Sequence, residues 1–194
     1  MLKTKPFLIT AATLALTISL AAQAHVTLEQ AEAEAGQSYK AVLRVGHGCE
    51  GSATTRVSVI LPPGFRGAKP MPKAGWRLET RREALSQPYE SHGRRISDEL
   101  VEVSWTAQGE DNYLQDAWYD EFTVRGSLPS EASGPLWFKV KQQCVKGEWL
   151  WVEVPASGDS TRGLKAPAAR LMLRKAGASA NVSAAPAASA TAKL

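Results

Sequence analysis

The side chains of this chain that could hold a metal or move a proton are few: His25, His47 and His92, the cysteines Cys49 and Cys144, and the adjacent carboxylates Asp98-Glu99, Glu110-Asp111 and Asp120-Glu121. His25 comes first because of what precedes it. Residues 1–24 carry a basic start (Lys3, Lys5), an apolar run from Phe7 to Ala22 without an acidic residue, and small residues at Ala22 and Ala24, the layout of a cleaved secretory signal. Cleavage after Ala24 would make His25 the first residue of the mature chain. An N-terminal histidine offers two nitrogens, its free α-amine and its ring Nδ1, which can close a small chelate around one metal ion. Nitrogen and oxygen donors in a square arrangement suit Cu(II). A signal peptidase tolerates almost any residue after the cut, so the position alone does not establish a metal site.

Cys49 and Cys144 both fall after the leader. An even cysteine count in an oxidising compartment reads as one disulfide, and so long a loop would stabilise the fold by about 4–5 kcal/mol through chain entropy. A blue-copper centre needs two histidines with its cysteine, and no histidine follows Cys144. Carboxylates adjacent in sequence fall on opposite faces of a strand or in a solvated loop. No glycine-rich phosphate loop and no nucleophile elbow is present, so nothing supports a hydrolase.

Composition narrows the partners. The full chain has 194 residues and a net charge of +4, from 23 Lys and Arg against 19 Asp and Glu; without Lys3 and Lys5 the charge falls to +2. No cluster of basic residues interleaved with aromatics marks a nucleic-acid surface. The only apolar run approaching a membrane span is the leader itself. A soluble exported protein, periplasmic in a bacterium, is expected.

These residues must be positioned by strands. Tyr39, Ala41, Leu43 and Val45 alternate with Lys40 and Arg44, and Val57, Val59 and Leu61 repeat the period of two, as half-buried strands do. Further strands are expected at His25–Leu28, Trp76–Thr80, Val101–Trp105, Tyr119–Val124, Leu136–Val140, Glu148–Val154 and around Ala169–Leu173. Residues 29–36 read as a polar connector, 67–75 as a Pro/Gly segment, and 81–98 as a loop or ragged hairpin around His92-Gly93. Eight or nine short strands separated by turn signals describe an all-β sandwich. The domain is expected over residues 25–174. Residues 175–194, rich in Ala, Ser and Pro, cannot bury enough surface to order themselves.

His25-Val26-Thr27, the stretch from His47-Gly48-Cys49 to Thr54-Thr55, Lys69-Pro70-Met71-Pro72-Lys73 with Gly75-Trp76, Tyr119-Asp120-Glu121-Phe122, Gln143-Cys144 and Trp151-Val152-Glu153 together resemble the YcnI-like family of exported copper-binding domains, long catalogued as a domain of unknown function. The similarity runs from His25 to about Val154, with a weaker match in the last strand. It implies an immunoglobulin-like sandwich that binds one Cu(II) through a single-histidine brace. His25 is then the brace, Glu121 the oxygen donor, and Trp151 the tryptophan beside the metal. Trp149, two positions from Trp151, shares its strand face. His47 is expected to position the disulfide, Met71 to pack against Trp76, and His92 to be exposed.

The implied function is non-catalytic copper handling in the periplasm, with copper chaperones or a membrane copper transporter as exchange partners. Two other classes remain open. One is a copper oxidase of the polysaccharide mono-oxygenase kind, which needs a second histidine, His47 or His92, on the metal. The other is a sugar- or peptide-binding module built on the six tryptophans.

Overall fold

A computed structural model describes residues 25–177; the expected leader, and residues 178–194 of the expected tail, lie outside them. Eleven strands follow in order: β1 (Thr27–Leu28), β2 (Glu32–Glu34), β3 (Ser38–Val45), β4 (Thr54–Ile60), β5 (Arg66–Pro70), β6 (Trp76–Ser91), β7 (Arg94–Ala107), β8 (Asp120–Ser127), β9 (Gly134–Cys144), β10 (Glu148–Trp151) and β11 (Ala169–Arg174). A single 3-10 turn at Glu110–Asn112 is the only helical element among the described residues.

The strands form two sheets, as the alternation predicts. One has the order β1-β3-β8-β5, the other β2-β11-β9-β4-β7-β6, with β10 also paired to β9. Their inner faces bury the alternating apolar residues: Tyr39, Ala41, Leu43 and Val45 from β3, Phe122 and Val124 from β8, Val57 and Val59 from β4, Val103 and Trp105 from β7, Phe138 and Val140 from β9. Aromatic edges lock the sheets together. Phe122 lies 5.2 Å from Trp76 and 5.5 Å from Trp105, while Phe65 meets Phe138 at 5.4 Å; tilted and edge-on contacts of this kind are favoured by the ring quadrupoles.

Three segments differ from expectation, while residues 81–98 take the hairpin of the two forms expected for them. Residues 81–98 are largely paired strand: β6 and β7 extend into a long ribbon that turns at His92-Gly93, where φ is 47° and 71°. Both faces of its outer half meet water, so its stability comes from the ladder and from cross-strand ion pairs such as Arg82–Asp98. No apolar alternation is then required, and the sequence carries none. The polar connector contains β2, too short to show a period, which pairs in parallel with β11. The Pro/Gly segment contains β5, an edge strand, where Pro70 costs no inner ladder bond. Finally, β9 continues past Val140 to Cys144, which places Gln142 on the same inward face as Phe138 and Val140.

Candidate metal centre

The antiparallel pairing of β1 with β3 sets Thr27 opposite Arg44 and Leu28 opposite Leu43. His25, just before β1, is thereby brought to the end of the sandwich where the chain leaves β3 through Gly46 and His47. The end of β10 arrives at the same place, since Trp151 pairs with Val140 of β9.

Trp151 is the centre of this cluster. Its side chain is 1 % exposed. The His25 ring stands edge-on to it, with centroids 5.6 Å apart, and the His47 ring does the same at 6.1 Å. Trp149 stacks against Trp151 at 5.1 Å. The indole orientation is fixed by Gln142: Trp151 Nε1 donates to Gln142 Oε1 at 2.9 Å, and Gln142 Nε2 donates to the His47 carbonyl at 2.7 Å and to Thr54 Oγ1 at 2.8 Å. Gln142 is 1 % exposed and Thr54 fully buried. A buried amide with both ends satisfied rigidifies whatever it touches.

The loop that carries His47 is anchored at several points. Cys49 is disulfide-bonded to Cys144 at the end of β9, with Cα atoms 5.9 Å apart. Cys49 and Ser52 exchange backbone hydrogen bonds of 2.9 Å around a turn in which Glu50 and Gly51 have φ of 51° and 86°. Gly48 N donates to Asp116 Oδ1 at 3.0 Å. A Cβ on Gly48 would meet the Ser52 carbonyl oxygen at 1.9 Å, so the residue after His47 has to be glycine. His47 Nδ1 lies 2.5 Å from the Gly48 carbonyl oxygen. A carbonyl only accepts, so Nδ1 is the donor in this contact.

Glu121 lies elsewhere. It pairs with Arg44 across β3 and β8, and the alternation that buries Phe122 and Val124 turns Glu121 outward. Its carboxylate accepts a hydrogen bond from the Tyr119 hydroxyl and lies 3.8 Å from Arg44 Nε; Arg44 Nη2 also reaches Glu29 at 3.3 Å. Burial, then the hydrogen bond to Glu121, raises the Tyr119 hydroxyl above the usual phenol value, so it stays a donor. The neighbouring Asp120 faces the other way, toward Lys73 Nζ at 2.6 Å. Because β3 separates β1 from β8, Glu121 stands two strand spacings, about 10 Å, from the β1 backbone. Among the described residues no three His, Cys, Asp or Glu side chains converge.

His25, His47 and Trp151 are thus brought together, and Glu121 is not among them. His92 is exposed at the ribbon tip. Met71 is largely exposed, at 60 %, and its backbone carbonyl accepts from Trp105 Nε1 at 2.9 Å. The residue that the sequence reasoning missed is Gln142. Carrying the period-two pattern of β9 one step beyond Val140 would have placed it on the core face.

A family model described as a domain of unknown function, DUF1775, matches residues 25–173. Among solved structures, an uncharacterized protein from Nocardia farcinica, described as revealing an immunoglobulin-like fold, is similar at 28 % identity, with a TM-score of 0.58 over 77 % of this chain and 97 % of that one. The present sandwich is accordingly immunoglobulin-like. The seventh ScaB type I cohesin from Pseudobacteroides cellulosolvens aligns at 10 % identity and a TM-score of 0.35, over 87 % of this chain and 97 % of that one, too remote to support any comparison. No curated protein matches the chain.

Proposed function

The chain belongs to the DUF1775 family of domains of unknown function, and from that premise we propose that it is a YcnI-like periplasmic protein that holds one Cu(II) ion for handling or delivery, without catalysis. The observation that carries this is the seating of the His25 ring against the buried indole of Trp151, 5.6 Å between centroids. With the leader removed after Ala24, the α-amine and Nδ1 of His25 form the chelate at the mouth of the sandwich. Copper is the cargo. Trp151 contributes a wall, since its N–H is already engaged by Gln142. The oxygen donor that the family resemblance implies is Glu121, which reaches the metal only by leaving Arg44 and Tyr119. The exchange partners are periplasmic copper chaperones or a membrane copper transporter.

A tryptophan platform for sugars or peptides is less well supported: Trp76, Trp105 and Trp151 are buried, and Trp118 is the one tryptophan among the large exposed apolar residues. Titration of the processed protein with Cu(II), followed by tryptophan fluorescence and calorimetry, tests the proposal. Wild type should saturate at one ion with quenching, and His25→Ala should lose most of both; equal binding by His25→Ala would overturn it.

A further inference from the structure

We infer that the open edge of β6 pairs antiparallel with the same edge of a second copy of this chain, about a two-fold axis through Thr80. β6 ends the larger sheet, and β7 is the one strand paired with it among the described residues. Its own run is regular from Trp76 to Ala84, because the register shift after Arg81 puts the extra residue, Val101, in β7. Gly75, just before the strand, accepts from Gln108 N at 2.8 Å. Hydrogen bonding to one neighbour alternates along an antiparallel strand, so Arg77, Glu79 and Arg81 bond to β7, and Leu78, Thr80 and Arg82 turn their N–H and C=O groups to the open side. An uncovered edge of this kind is a template for another strand, and charged side chains commonly guard it by repelling a second copy. Here the guard is self-complementary. Arg77, Glu79, Arg81 and Glu83 are all exposed and alternate in sign, while Arg56 at 3.3 Å and Glu102 at 3.1 Å hold Glu79 and Arg81 extended on the outer face. With the axis at Thr80, Arg77 stands opposite Glu83 of the second copy and Glu79 opposite its Arg81. These are the non-hydrogen-bonded pairs, whose Cα atoms lie only about 4.5 Å apart, where opposite charges favour pairing and like charges oppose it. Moving the axis by one residue brings like charges together: at Glu79, Arg77 would face Arg81, and at Arg81, Glu79 would face Glu83. The charges thus select both the partner, a second copy, and the register. The edge stands apart from the metal centre, with β4 and β7 between it and β9.

Analytical ultracentrifugation of the processed protein with a chelator present, from dilute to millimolar concentration and at low and high salt, tests this independently of copper. The wild-type mass should rise toward twice that of the chain, less so at high salt because exposed charges are screened. Arg77→Glu and Glu83→Arg each turn two opposite-charge pairs into like-charge ones and should each weaken association by about 10-fold or more. An equimolar mixture of these two variants should associate as wild type does, because every pair across the axis is then opposite again. Thr80→Pro removes an outward N–H without touching the β7 ladder, so it should stay monomeric while keeping the wild-type circular dichroism spectrum. If that variant fails to fold, the mixing experiment decides alone. A single-chain mass at every concentration, undiminished association in Arg77→Glu and Glu83→Arg, or a mixture no better associated than its components would overturn the inference.

Discussion

Trp151 and Gln142 share a hydrogen bond of 2.9 Å inside the sandwich, and the other end of the same amide holds the carbonyl of His47. One buried side chain thus fixes both the wall of the candidate site and the backbone of His47 beside it. Replacing Gln142 with Met keeps the volume but leaves the Trp151 N–H, the His47 carbonyl and the Thr54 hydroxyl short of a partner. An unsatisfied buried group costs about 1–3 kcal/mol, so Gln142→Met should lose about 2–4 kcal/mol in denaturant unfolding and also weaken Cu(II) binding. An unchanged midpoint would show the network to be dispensable.

The disulfide closes a loop with a sequence separation of 95, which by chain entropy stabilises the fold by about 4–5 kcal/mol. The double variant Cys49→Ser, Cys144→Ser should unfold at a correspondingly lower denaturant concentration and still bind one Cu(II), because the sulfurs are bonded to each other and not free to ligate. Copper lost from a folded double variant would contradict this.

Arg44 decides whether Glu121 can serve the metal. If Glu121 moves to copper when copper binds, Glu121→Gln weakens binding, and Arg44→Met strengthens it by releasing the carboxylate. A double-mutant cycle separates this from the mere removal of a positive charge: the gain from Arg44→Met should shrink in the Glu121→Gln background. Additive effects would leave Glu121 as a surface ion-pair partner only.

Two phenols set the alkaline limit. Burial, and secondarily the charge of Glu29, pushes the Tyr39 hydroxyl well above its usual value while it donates to the Gln30 carbonyl at 2.6 Å. Burial first, then the hydrogen bond to Glu99, lifts Tyr89 to about 12. A pKa raised in the folded state means stability that is complete below the unfolded value of ~10 and is lost as pH rises through the folded values. Stability should therefore hold to about pH 10 and decline above it, and Tyr39→Phe should flatten that decline. Parallel profiles for wild type and variant would exclude Tyr39 as a source.

The inner faces were legible wherever alternation had a buried face to report, as in β3, β4 and β8. It failed where burial was absent, in the outer half of the β6–β7 ribbon, and where strands were too short to show a period, in β2 and β5. The site was partly legible. His25 was marked by the leader before it, and Trp151 by family resemblance. His47 was visible as part of His-Gly-Cys, but a local motif cannot show that β10 delivers Trp151, 104 residues later in the chain, to its ring. The outward turn of Glu121 follows from its neighbour Phe122 facing the core, a consequence of strand period that motif matching does not weigh.

The central claim is that His25 acts as a first residue, through its own amine. That amine has an ordinary pKa of about 7.7–8, so Cu(II) must displace a proton to bind, and affinity should rise with pH through that range. Calorimetric titration of protein exported and cleaved after Ala24, set beside protein carrying one extra residue before His25, measures this directly. The extension converts the amine to an amide and moves the free amine away from the ring while leaving the sandwich intact. The account predicts one tightly bound Cu(II) for the processed protein and a large loss for the extended one; equal affinity in both would contradict it.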